Sequence, residues 1–313
     1  MRTFRSASSG RPEGLHDIGE LVITRREFGR LALASLASSR ALSAAGIDSR
    51  VAGVRIGVQS YSFRGMARPA GAADSVDGVI AAMVECGLGD VELFAPDVEP
   101  RRTREELRAW RLESALDHLR DVKRKFDKAG ITIFAYNYSP NTTFTDGEID
   151  RGFDMARALG AEIITSSTTL DVAKRIAPFA EKHKMIVALH GHSAVDKPGE
   201  IASPESFAEG MKLSKYFRVN LDIGHFTAAN FDAMQYLRQH HDQITNLHLK
   251  DRKHNQGDNV PWGTGDTPIR DVLQLLKRER WPIRAYIEYE HKGAGTPVEE
   301  VKKCYAFVKD ALA

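Results

Sequence analysis

Two stretches of the chain end alike. RVNLDIGH (218–225) and ITNLHLKD (244–251) each begin as a strand-like run and finish in an acid and a histidine. MIVALHGH (185–192) closes on His190 and His192, and RAYIEYE (284–290) on Glu288 and Glu290. Side chains alternate along a strand, so His190 shares a face with His192, His248 with Lys250, and Glu288 with Glu290. Imidazole and carboxylate together suit one divalent ion such as zinc, manganese or cobalt, with manganese and magnesium favoured as carboxylates increase. His190, Asp222, His248 and Glu288 form a mixed nitrogen and oxygen set that leaves room for substrate. One such histidine alone would signify little, because His is often a satisfied buried residue. Four ionisable groups at successive strand ends point to a functional site.

The elements that must position these groups alternate in period from residue 54 onward. Strand-like runs occupy 54–62, 89–94, 131–138, 161–168, 185–192, 218–224, 244–251 and 284–290. Helix-length segments follow at 74–86, 103–129, 147–159, 171–183, 204–214, 231–240, 269–280 and 297–312. Ser203-Pro204 and Thr267-Pro268 read as helix starts, while Gly87, Gly130 and Gly160 follow helix ends. Eight β-then-α units predict an α/β fold: a single-domain (β/α)8 TIM barrel over residues 46–313. In that fold the site lies where strands end. There the sequence places Glu92, Asn137, Tyr138, Ser166 and Ser167 besides the metal-ligand candidates. A core cannot bury so many polar groups unless they serve one another or a ligand.

Composition narrows the partners. The formal charge is +2, but the first 46 residues carry seven arginines against four acids, so the remainder holds 37 basic and 38 acidic residues. No nucleic-acid-binding surface is indicated. Thr24-Arg25-Arg26-Glu27-Phe28, a weakly apolar stretch from Leu31 to Ala37 and the small residues 43–45 read as a twin-arginine export signal over residues 1–45. The apolar stretch is too short to span a membrane, so the expected location is periplasmic, with no membrane span once the signal is removed. Cys86 and Cys304 cannot make a disulfide framework and read as buried apolar residues. In a closed barrel their helices are neighbours, which leaves a single bridge open. There is no Rossmann or P-loop glycine pattern. The oligomeric state, including a homo-oligomer, stays open.

VQSYSFR, VELF, LHGHS, LDIGH, HLKDR, WGTGD and IEYE, taken together, resemble the xylose isomerase-like TIM-barrel superfamily of sugar phosphate isomerases and epimerases over residues 54–313. The resemblance implies that Asp222, His248 and Glu288 are metal ligands, and that His225 binds substrate or a further metal. It departs at strand five, where metal-binding epimerases carry a glutamate and this chain has His190. Of their two acid/base carboxylates only Glu288 is present, so His190 or Lys250 must supply the second proton carrier.

The chemistry such a site can do is proton abstraction beside a carbonyl, with a metal as Lewis acid and template. Glu288, His190 and Lys250 are the expected catalytic groups. Glu92 and His192 are expected to hold sugar hydroxyls, and Trp262 to offer an apolar face to a sugar ring. Export favours a neutral or oxidised sugar, such as a 3-keto-glycoside, over a sugar phosphate. The same enolate serves isomerisation or epimerisation and β-elimination of an aglycone. A degenerate, sugar-binding barrel is the reading from another class. An AP endonuclease would need histidines where Phe94 and Asn137 stand, and a glycosidase needs two carboxylates flanking the scissile bond.

Overall fold

In this computed structural model the described residues are 46–68 and 71–313. The export signal expected over 1–45 lies outside them. Eight parallel strands pair in chain order: β1 (Val54–Gln59), β2 (Asp90–Phe94), β3 (Thr132–Asn137), β4 (Ile163–Ser167), β5 (Val187–His190), β6 (Phe217–Asp222), β7 (Ile244–Leu249) and β8 (Arg284–Ile287). β8 returns to β1, with Ile56 beside Ala285 and Val58 beside Ile287, so the sheet closes on itself. This is a (β/α)8 barrel, as the alternation of periods predicts.

The strands are buried on both faces, which is why they read as nearly unbroken apolar runs. One layer of core fills the space between strands and helices, with Val91, Leu119, Phe126, Leu221 and Leu276 among its members. Inside the barrel Phe134, Ile163, Ala188 and Tyr286 pack as a separate cluster. Two register shifts, between Val91 and Glu92 and between Val219 and Asn220, lie just below the mouth. Such bulges re-aim the side chains that follow.

Several boundaries differ from expectation. The run predicted as one helix over 103–129 is two, Arg104–Glu113 and Ala115–Lys128. Ser114 leaves the helical region at φ −122° and its N–H donates to the Trp110 carbonyl, ending the first segment. The first begins with a capping box, Thr103 accepting from the N–H of Glu106 while Glu106 accepts from that of Thr103. Short helices at Ala95–Val98 and Ile223–Ala228 are additional. Gly87, Gly130 and Gly160 all have positive φ, the conformation a helix stop demands. Cys86 and Cys304 are both free and buried, and burial pushes the Cys86 thiol up to about 11. Among the described residues no helix is long and apolar enough to cross a membrane.

Candidate metal centre

The strand-end groups converge. His190, Asp222, His248 and Glu288 each offer one ligand atom, and the four atoms lie within 4.8 Å of one another, all buried. β5, β6 and β7 end at or beside three of them, and Glu288 directly follows β8, its N–H continuing the ladder to the Leu249 carbonyl. His248 Nδ1 stands 2.9 Å from Glu288 Oε2 and 3.9 Å from Asp222 Oδ2, while His190 Nε2 is 3.4 Å from that same oxygen. His190 Nε2, Asp222 Oδ2, His248 Nδ1 and Glu288 Oε2 are all buried atoms with no hydrogen-bond partner. Buried polar atoms are ordinarily paired. Two imidazole nitrogens and two carboxylate oxygens left unpaired around one point fit a divalent cation.

Each ligand atom is aimed by the other end of its side chain. Ser167 Oγ pairs with His190 Nδ1 at 3.0 Å. Burial lowers the pKa of His190, so the ring is neutral, as ligation requires. Asp222 spends Oδ1 on the N–H of His225 at 2.7 Å, capping Ile223–Ala228 and leaving Oδ2 free. Burial would push the Asp222 carboxyl up, but Lys250 and the histidines beside it outweigh that and hold it well below the usual carboxylate range. Glu288 is held down in the same way by His248 and Lys250 against its burial.

Glu92 is a correction. Instead of reaching a sugar hydroxyl it is fully buried beneath the mouth, with both oxygens taken by protein donors. Oε1 accepts from Gln59 Nε2 at 2.9 Å, Thr165 Oγ1 at 2.7 Å and Asn137 Nδ2 at 3.2 Å. Oε2 accepts from Asn246 Nδ2 at 2.9 Å and faces His248 Nε2 at 2.8 Å. Burial opposes a charge on His248, but Glu288 beside Nδ1 and Glu92 beside Nε2 raise its pKa well above the ordinary value; a cation would take the place of the Nδ1 proton, with Glu92 holding the proton on Nε2. The polar layer of Gln59, Thr165, Asn220 and Asn246 therefore serves His248 through Glu92.

Lys250 lies among carboxylates, its Nζ 2.6 Å from Glu290 Oε2, 2.7 Å from Glu288 Oε2 and 2.9 Å from Asp222 Oδ2. Burial opposes its charge, but these three neighbours raise its pKa, so it is an ammonium. It can donate a proton or stabilise negative charge; it is not a free base. The glycine of LDIGH has its reason here. A Cβ on Gly224 would meet Lys250 Cγ at 2.3 Å and its carbonyl oxygen at 2.7 Å.

Arg252 Nη1 is 2.7 Å from His225 Nδ1. Lys250 Nζ lies 3.3 Å from His225 Nε2, so both ring nitrogens face donors. Burial and the Lys250 ammonium hold the pKa of His225 well below its ordinary value, so the ring is neutral and accepts at one of the two nitrogens. His192 lies on the rim, its ring 5.1 Å from that of His190 and 5.2 Å from that of His225, with Nδ1 on Glu200 at 2.7 Å.

Trp262 is partly buried, its ring meeting Phe307 of the last helix, Pro297–Leu312, in a T-shaped contact at 5.8 Å. The WGTGD loop is tied down by Asp251, which accepts from the N–H groups of Gly263, Gly265 and Thr267 at 2.8, 2.9 and 3.2 Å. A Cβ on Gly265 would come within 1.9 Å of Asp251 Oδ1. Sequence reasoning overlooked Arg252 and Asp251 as organisers of the mouth, although both stand in the HLKDR stretch.

Known structures share this barrel. A sugar phosphate isomerase/epimerase from Parabacteroides distasonis ATCC 8503 aligns with a TM-score of 0.59 at 18% identity, over 83% of this chain and 97% of that one. IOLI protein with a binding zinc atom gives 0.60 at 16%, over 83% and 98%. The 3-keto-D-glucoside 4-epimerase YcjR from E. coli gives 0.56 at 12%, over 82% and 99%. At these identities the likeness shows the fold. No curated protein matches the sequence. The family model of the xylose isomerase-like TIM barrel matches residues 80–310, and the chain belongs to that family.

Proposed function

We propose that the protein is a metal-dependent sugar isomerase or epimerase that abstracts a proton beside the carbonyl of a sugar or keto-sugar. The observation that carries this reading is the set of four unpaired buried ligand atoms, from His190, Asp222, His248 and Glu288, converging at the barrel mouth. A divalent cation held there supplies Lewis-acid polarisation of a carbonyl oxygen. The chain's own residues do the rest. Glu288 or the neutral His190 takes the proton, Lys250 as an ammonium returns one or balances the developing charge, and the rings of His225 and His192 orient hydroxyls. The names of structural neighbours, a sugar phosphate isomerase/epimerase and a 3-keto-D-glucoside 4-epimerase, support a sugar substrate. With residues 1–45 as a twin-arginine export signal, the substrate is met in the periplasm and is a neutral keto-sugar rather than a phosphate.

A second outcome, β-elimination of an aglycone from a 3-keto-glycoside, is favoured by one feature. His190 stands where a second carboxylate would serve a two-base epimerisation, while Lys250 is placed to protonate a leaving group.

The test is metal content. The purified protein should hold about one divalent transition metal per chain, and Asp222→Ala prepared identically should hold none. The loaded protein should then exchange the proton beside the ketone of a 3-keto-glycoside in heavy water. No metal in either protein after manganese and zinc are added back would reject the reading and favour a sugar-binding barrel without turnover.

A further inference from the structure

Glu290 belongs to none of the roles above, yet it makes the shortest of the three carboxylate contacts to Lys250, at 2.6 Å. Of those contacts only this one has hydrogen-bond geometry. Asp222 Oδ2 and Glu288 Oε2, at 2.9 and 2.7 Å from the same ammonium, keep no hydrogen-bond partner. Glu290 thus takes one Nζ proton, while the ammonium stays in ion-pair contact with both ligand oxygens. An ammonium and a divalent cation are competitors for those oxygens, and like charges this close in a buried site repel strongly. Lys250 is 2% exposed, so its charge cannot be left to water. Some carboxylate outside the ligand set must hold it.

We infer that Glu290 shares the Lys250 ammonium with Asp222 and Glu288, weakens its hold on their oxygens, and so sets the affinity of the mouth for a divalent cation. This rests on the metal-binding reading above. Glu290 is a positioning residue: it acts on the metal through Lys250. With a neutral side chain at 290 the ammonium protons turn onto Asp222 and Glu288, and a cation must displace them. With no ammonium at 250 there is no competitor, and the side chain at 290 ceases to matter.

Manganese(II) affinity of the full chain, measured by calorimetric titration, separates the outcomes. Glu290→Gln should bind about ten-fold more weakly than the parent or worse, the weight of a lost hydrogen bond to a charged group. Lys250→Met should bind at least as tightly as the parent, and Lys250→Met/Glu290→Gln should match Lys250→Met. Unchanged affinity in Glu290→Gln would overturn the inference. So would a loss that persists in the Lys250→Met background, because Glu290 would then act on the metal directly. If Glu290→Gln does not fold, Lys250→Met decides alone: weaker binding than the parent means that Lys250 does not compete. A parent protein that binds no manganese or zinc rejects the metal reading itself, an outcome distinct from a parent that binds and a Glu290→Gln variant that binds equally well.

Discussion

The barrel has a buried ionic cluster at each end, and the two are built differently. At the end where strands begin, Arg284 Nη1 donates to both oxygens of Asp90 at 2.9 and 3.1 Å, its Nη2 reaches Glu162 at 3.2 Å, and Tyr286 donates its hydroxyl to Asp90 at 2.5 Å. The guanidinium stacks on Phe134, 3.5 Å from the ring centre. None of these charged side chains leaves an unpaired buried atom. At the end where strands finish, four ligand atoms in one small volume stay unpaired. A closed cluster has nothing left to bind with, whereas an open one is costly unless a ligand completes it. Unspent lone pairs separate the two ends, and they fall where (β/α)8 enzymes keep their chemistry.

The sharpest way to test this division is to remove the cation from the closed end. Arg284→Met would strand Asp90, and breaking one side of a buried pair costs about 3–5 kcal/mol. The urea midpoint should fall accordingly while manganese binding per folded chain stays as in the parent. A variant that keeps its stability but loses the metal would invert the comparison. The next effect in size belongs to the open end. Glu92→Gln keeps the shape of the polar layer but removes the charge behind His248, and metal affinity should drop about 10–100-fold, the usual cost of losing such a partner. Equal affinities in parent and variant would show that His248 needs no carboxylate to present Nδ1.

Why the open end was readable and the closed end was not follows from position along the strand. His190, Asp222, His248 and Glu288 stand at the ends of mostly apolar strands, and period-two alternation already places them on one side. Arg284 and Asp90 open their strands. A charge at a strand start looks in sequence like the tail of a solvated loop. Depth was the other missing quantity. Glu92 lies mid-strand, beside Gln59 across the ladder, which sinks it one layer below the mouth. Alternation reports which face a residue occupies, not its height. The roles of Trp262 and Asp251 depend on how one loop folds against the last helix, contacts between residues 12 to 45 positions apart. The break at Ser114 was hidden because both halves of the run keep a helical period.

The smallest predicted effect sits on the rim between these extremes. Glu200 is held down to about 2 from its ordinary 4.5, chiefly by its hydrogen bond to His192, with Lys197 adding to that against partial burial. A carboxyl whose folded-state pKa is depressed stabilises the fold above its unfolded value and loses that contribution as pH falls through the folded one. The contribution of Glu200 is therefore whole above about pH 4.5 and disappears as the pH approaches about 2. Glu200→Gln should lower the melting temperature slightly at neutral pH and leave a shallower decline between those two values than the parent shows. Because Glu200 fixes His192 and not the four ligand atoms, metal affinity should be unchanged in the variant while the Michaelis constant for a keto-sugar rises a few-fold, to about the extent one hydrogen bond contributes. A loss of metal in this variant would extend the open cluster outward to the rim, and the boundary drawn around His190, Asp222, His248 and Glu288 would be too small.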